Sequence, residues 1–100
     1  MRFNAINIIT ANVWTQLYQV PSGKSSTLTV NCCNRTNTPA TIDIAISSSA
    51  TTPLDADVIV FGKTVFKPEE FVKASLAVGS LQYVLVRSTQ IDVSVNVWGF

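Results

Sequence analysis

Strict alternation of apolar and polar residues marks three segments of the chain. In residues 91–97 every second residue is Ile or Val, with Asp, Ser and Asn between them, and residues 27–33 and 41–46 follow the same period of two. This periodicity is typical of antiparallel strands that bury one face, and the abundant β-branched residues suit a pleated sheet. Further strands are predicted at these positions: 13–20, 57–61, 64–67 and 81–87, with a weaker one near 5–10.

Turn-forming residues separate these strands. The segment V-P-S-G-K at 20–24 has Pro at the second position of a turn and Gly two residues later, a pattern typical of a tight connection between strands. Other polar connections are found at 34–39, 47–53, 79–80 and 88–89. Many short strands between regularly spaced turns indicate a sandwich or a barrel. We therefore predict one all-β domain over residues 1–100, a single antiparallel β-sandwich of seven or eight short strands, with a jelly roll as a candidate arrangement.

Residues 67–74 leave two alternatives open. Their sequence, K-P-E-E-F-V-K-A, begins with Pro and Glu residues that suit the first turn of a helix. A helix this short is not stable by itself. A turn at 67–69 followed by a short strand through Phe71 is therefore favoured over the helical turn.

The apolar positions of the alternating strands define the predicted core. Cys32 shares their parity and is expected inside, while Cys33 then points outward or into a contact. Residues 81–87 are apolar on both faces, so this strand is predicted to be covered on both sides, within the domain or by a neighbour. The predicted core residues are Leu28, Val30, Cys32, Ile42, Ile44, Ile46, Val84, Val86, Ile91, Val93, Val95 and Val97.

Composition narrows the classes of function. Only 13% of the residues are charged and the net charge is +1, whereas Ser, Thr and Asn together supply 28 residues. A surface of hydroxyl and amide groups favours a protein that works inside an assembly. The near-neutral balance argues against nucleic acid and against an anionic membrane as partners. No apolar run is long enough for a signal peptide or a membrane span. The two adjacent cysteines offer no disulfide framework, so the sequence is compatible with folding in a reducing cytoplasm.

The residues that carry most enzyme chemistry are scarce. Histidine, the commonest general base and metal ligand, is missing from the sequence. Cys32 and Cys33 are adjacent, too close for an unstrained disulfide and too few for a metal site. Asp43 and Asp92 would form a pair of carboxylates only if their strands were neighbours, and solvated surface positions are the more ordinary reading. We predict no catalytic residue, no cofactor and no metal.

The order of several short motifs along the chain can be compared with that in known groups of proteins. They are Y-Q-V-P-S-G-K at 18–24, N-C-C-N-R at 31–35, T-I-D-I-A-I at 41–46, K-P-E-E at 67–70, and two closing strands at 83–88 and 91–100. This order resembles a diffuse group of small bacteriophage virion proteins with a VPAGK-like turn and a strand that closes on CNR. The resemblance spans residues 13–100. The chain departs from the group at 79–82, where a Gly-Asp turn is more frequent, and at Phe100, where an acidic residue is common.

The resemblance implies a β-sandwich that assembles on a phage particle, and it transfers no catalytic residues. We therefore predict a non-enzymatic virion protein, made in the host cytoplasm, that packs in multiple copies. It would be a capsid decoration (cement) protein or a tail or baseplate component. Its partners would be copies of itself, in a homo-oligomer, and major capsid or tail proteins.

Four aromatic residues are the predicted contact residues of this assembly. Trp14 and Tyr18 share a parity in their strand, Trp98 lies on the polar side of the last strand, and Phe100 follows it. Aromatic residues dominate interface energetics, and on a polar face they serve as contacts or as sugar-stacking platforms. The alternative function is thus a carbohydrate-binding or receptor-binding module that uses these aromatics. The simplest alternative is that Trp14 or Trp98 caps one end of the core.

Overall fold

Eight antiparallel strands form two four-stranded sheets in residues 1–67 and 69–100, which the computed structural model describes. The strands are β1 (Arg2–Asn7), β2 (Thr15–Gln19), β3 (Ser26–Asn34), β4 (Ala40–Ser47), β5 (Val58–Val65), β6 (Glu70–Val78), β7 (Tyr83–Ser88) and β8 (Val93–Gly99). A 3-10 turn at Asp55–Asp57 precedes β5. The predicted all-β fold with seven or eight short strands is confirmed.

The strands pair in a nested order. One sheet has the order β1-β8-β3-β6 and the other β2-β7-β4-β5, so β1 pairs with β8, β2 with β7, β3 with β6 and β4 with β5. A long antiparallel hairpin wound up in this way gives two facing sheets, which is the jelly-roll arrangement. The apolar side chains of both sheets meet between them.

The predicted core is largely confirmed. Ten of its twelve residues are 0% exposed, and Ile46 is partly buried against the same cluster. Ile91 was assigned wrongly, because it is 48% exposed. The reason is that β8 begins only at Val93, and Asp92 before it has a φ of +62°. Ile91 therefore belongs to a turn, where the alternation of the strand does not apply.

Two strand assignments also differ from the prediction. The segments predicted at 57–61 and 64–67 form one strand, β5, in which Gly62 has a φ of +70° and the pairing with β4 is irregular. The strand predicted to end at Phe71 continues as β6 to Val78, so the alternative helix is wrong. A register shift near Ser75, with φ of +60°, reverses the parity of β6 and hides its alternation.

The predicted turn at 67–69 includes Pro68, which lies outside the described residues. Next to it, the backbone N–H of Glu69 donates to the carbonyl of Phe66 at 2.6 Å. The turn at 20–24 forms as expected, with Lys24 N–H donating to Pro21 O at 3.2 Å and Gly23 at a φ of +77°.

Strand β7 is buried on both sides, as its sequence predicted. Val84 and Val86 belong to the core cluster, whereas Leu85 points to the opposite side and is nevertheless 0% exposed. Its neighbour Ala45 on β4 is equally buried. The 3-10 turn Asp55–Asp57 contacts β4, so the connection before β5 folds back over this outer face. That connection forms one wall of the cleft described next.

Candidate functional site

A cleft of about 470 Å³ opens on the outer face of the β2-β7-β4-β5 sheet. The side chain of Arg87 shows that the cleft lies on this face. Val84 and Val86 of β7 point into the core, so Arg87, next to Val86, points outward. The lining residues come from several elements of the chain: Trp14, Pro53, Asp55, Val58, Phe61 and Arg87. Ligand sites of proteins commonly have this volume and a mixed apolar and polar lining.

A buried carboxylate fixes Arg87 in the cleft. Asp43 pairs with Arg87 in the register of β4 and β7, and its Oδ2 accepts hydrogen bonds from Arg87 Nε at 3.0 Å and Nη2 at 2.8 Å. The other oxygen, Oδ1, accepts the backbone N–H of Gly62 at 2.8 Å. Asp43 is only 8% exposed. Charge-assisted bonds of this kind hold a guanidinium in one orientation, so the arginine is preorganised.

Trp14 completes this cluster. The Cζ atom of Arg87 lies over the Trp14 ring, 4.3 Å from its centroid, which is a cation–π contact. Trp14 is half-buried and precedes β2 directly. One face of the indole is thus covered by the guanidinium, and the ring forms a wall of the cleft.

Phe61 forms the exposed wall of the cleft and was missed in the sequence analysis. It is 78% exposed and lies on β5 just before Gly62. Glycine inside a strand pattern indicates a bulge or a close backbone approach, which was the available signal. Here the irregular pairing of β4 and β5 brings the Gly62 N–H to Asp43 and leaves the phenyl ring in solvent.

The other predicted aromatic contact residues lie elsewhere. Tyr18 is half-buried and stacks on Phe3, with ring centroids 4.9 Å apart and planes 7° apart, so much of its surface packs inside the domain. Trp98 is 36% exposed on β8, opposite Arg2 and Thr29. Phe100 is 89% exposed.

Trp14 and Trp98 therefore belong to different surfaces. Trp98 alternates along β8 with the buried Val95 and Val97, so it points outward from the β1-β8-β3-β6 sheet. Trp14 lines the cleft on the opposite sheet. One surface cannot use both indoles at once.

Asp43 and Asp92 do not form the carboxylate pair that was the alternative to solvated surface positions. Asp43 lies on β4 in one sheet and Asp92 precedes β8 in the other. Asp92 is exposed and accepts a hydrogen bond from Asn7 Nδ2 at 3.2 Å. The prediction of a solvated surface residue is confirmed for Asp92. It is wrong for Asp43, which is buried and ion-paired to Arg87. Since the two strands are in different sheets, the condition for pairing these carboxylates across neighbouring strands is not met.

Cys32 is a core residue, as predicted, and Cys33 is half-buried on the outer side of β3. Burial raises the pKa of the Cys32 thiol from the ordinary value of 9.0 to about 12. The thiolate is the reactive form, so Cys32 is protected twice, by burial and by protonation.

We expect a thiol reagent at about pH 8 to modify Cys33 in the folded protein and Cys32 only after unfolding. The pKa of the Cys32 thiol is near 9.0 in the unfolded chain and about 12 in the folded protein, so the unfolded chain loses this proton first as the pH rises. The free energy of unfolding is therefore expected to fall between these two pH values. Timed reaction with a chromogenic disulfide, with and without urea, measures the modification rates of the two thiols. Equal rates for both thiols in the folded protein would contradict it, and a Cys33→Ser variant identifies the fast one.

Neither a metal cluster nor a membrane helix is found in residues 1–67 and 69–100. No three His, Cys, Asp or Glu residues there are grouped to hold a metal ion. No helix in this part of the chain is long and apolar enough to cross a membrane. Comparisons with protein-family models, with curated proteins and with solved structures found no match to this chain.

Proposed function

We propose that this chain is a structural, non-enzymatic component of a bacteriophage particle, which packs there in multiple copies with itself and with capsid or tail proteins. The observation that carries the proposal is the combination of exposed apolar side chains with scarce charge. In the described part of the chain twelve large hydrophobic side chains are exposed, while the whole sequence has 13 charged residues. Scarce charge lowers the desolvation cost of covering these side chains with a partner.

The outer face of the β1-β8-β3-β6 sheet supports the proposal. Across β1, β8 and β3 its rows contain mainly small neutral side chains, such as Ala5, Asn96 and Asn31 in one row. Covering such residues costs less desolvation energy than covering charged ones. Trp98 stands in this face between Arg2 and Thr29 and supplies a large apolar surface. Exposed aromatic residues are common anchors of protein interfaces.

The fold and the motif order support the same conclusion. Jelly rolls are frequent among virus capsid proteins, and lectins use them too. Since a fold by itself does not define a function, the resemblance of residues 13–100 to small virion proteins favours the particle. A decoration protein would be present in far more copies per particle than a tail or baseplate protein. Quantitative mass spectrometry of purified particles therefore separates these two placements.

Replacing Trp98 with Ala is expected to weaken self-association about tenfold, because the indole anchors the contact. The melting temperature of the isolated chain should change little, since Trp98 points away from the core. Sedimentation of the purified chain over a range of concentrations measures the association. Leu81→Ala is the matched control, since Leu81 is 52% exposed but lies in the turn before β7. A wild-type chain that stays monomeric throughout, or a Trp98→Ala variant that associates unchanged, would refute the proposed role.

A further inference from the structure

The cleft beside Trp14 combines an apolar wall with polar groups that remain free to bind. Phe61, exposed to 78%, forms the wall together with Pro53 and Val58. A ring this exposed gains by packing against an apolar face of a ligand. The cleft of about 470 Å³ is open on one side, so a ligand that continues into solvent can enter it.

A donor and an acceptor flank this apolar wall. Arg87 uses Nε and Nη2 to bind Asp43, and in the described residues its Nη1 donates no hydrogen bond. Asp55 lines the cleft with an exposed carboxylate, which accepts none in the same part of the chain. A hydroxyl group both donates and accepts, so hydroxyls of a ligand can pair with both residues. Because Asp43 already holds the guanidinium, little side-chain entropy is lost on binding.

The charges in the cleft disfavour an anion. Asp43 balances the charge of Arg87, and Asp55 adds a negative charge, so an anion is repelled. A cation would be attracted by Asp55 and repelled by the guanidinium of Arg87, which already occupies one face of the Trp14 ring. A ligand with an apolar face and a rim of uncharged hydroxyls matches the apolar wall, the free donor and the free acceptor.

We propose that this cleft is a binding site for a neutral pyranose sugar, such as the terminal hexose of a glycan. The C–H face of the sugar packs on Phe61, and its hydroxyls pair with Arg87 and Asp55. This site is independent of the assembly surface around Trp98, because the two lie on different sheets. This site also differs from the sugar-stacking surface that the sequence analysis gave as an alternative. Trp14 is retained, Tyr18 and Trp98 are not part of it, and Phe61 is added.

A glycan array with the labelled full-length chain tests the proposal. We expect binding to glycans with neutral terminal hexoses and none to their sialylated or sulfated counterparts. Titration of the ¹⁵N-labelled protein with the free hexose of the strongest array signal then locates the site. The indole N–H resonance of Trp14 should shift and that of Trp98 should not, with a Trp98→Phe variant assigning the two signals. Silence toward every neutral glycan, binding of acidic glycans alone, or a shift at Trp98 would overturn the proposal.

Two variants with a matched control complete the test. Phe61→Ala is expected to lower the affinity at least about tenfold, and Asp55→Asn to lower it by a smaller factor. Phe66→Ala serves as the control, since Phe66 is 50% exposed and follows β5 outside the cleft. All three residues are exposed, so the variants should fold, which circular dichroism checks. Equal loss in Phe61→Ala and Phe66→Ala would remove the cleft from consideration.

Discussion

Replacing Ile44 with Ala is expected to lower the free energy of unfolding by about 2–5 kcal/mol, as large-to-small changes in well-packed cores do. Ile44 is 0% exposed and stands on β4 between Val86 of β7 and Val60 of β5. Removing three carbons leaves a cavity in the middle of a sheet that is held on both sides. The surrounding strands cannot close it without breaking their hydrogen bonds. Urea denaturation followed by circular dichroism measures the loss.

Ile91→Ala is the matched control for this prediction, because the sequence pattern alone gives both isoleucines the same role. Ile91 is 48% exposed in the turn before β8, so its truncation should cost about 1 kcal/mol or less. Equal losses at the two positions would show that the turn buries Ile91 and that the assignment of the strand start is wrong. A small loss at Ile44 would contradict its place in the core.

The sequence predicted best those strands whose pairing has no irregularity. β3 and β8 pair without a shift from Leu28 opposite Gly99 to Asn34 opposite Val93, so alternation along each strand reports directly which side chains are buried. β6 has a register shift, and its inward residues change parity from Phe71 and Lys73 to Leu76 and Val78. A bulge adds one residue without a signature that periodicity can detect. This irregularity hides the alternation of β6, and most of the strand, from Val72 to Val78, was therefore missed.

The cleft could be predicted only in fragments. Trp14 stood out as a large aromatic, but nothing in the sequence joined it to Arg87. The partners of Arg87 come from β4 and from the segment before β2, and the order of strands in the sheet brings them together. The surroundings of Asp43 could not be predicted from the sequence either. Its polar neighbours in the alternation suggested a solvated position, whereas the connection before β5 covers that face.

Gly99→Ala is expected to destabilise the protein by about 2–4 kcal/mol, through steric overlap and the loss of backbone hydrogen bonds. A Cβ atom at Gly99 would overlap the carbonyl oxygen of Thr27 and lie 3.1 Å from the Cα of Leu28. Backbone atoms cannot rotate away as a side chain can, so β8 has to separate from β3. The paired hydrogen bonds between Thr27 and Phe100, at 2.8 and 3.2 Å, would then be lost.

Gly23→Ala separates this overlap from ordinary backbone strain. Gly23 also has a positive φ, +77°, but no heavy atom lies within 4 Å of the Cβ that Ala would add. Its substitution should therefore cost only about 1 kcal/mol, the strain of a left-handed residue. Amide hydrogen exchange provides a local measurement, because the N–H groups of Thr27 and Phe100 should exchange faster in Gly99→Ala and unchanged in Gly23→Ala. Similar losses of stability in both variants would mean that β8 can tilt away from β3 at no cost, and the close contact of these two strands would then not contribute to the fold.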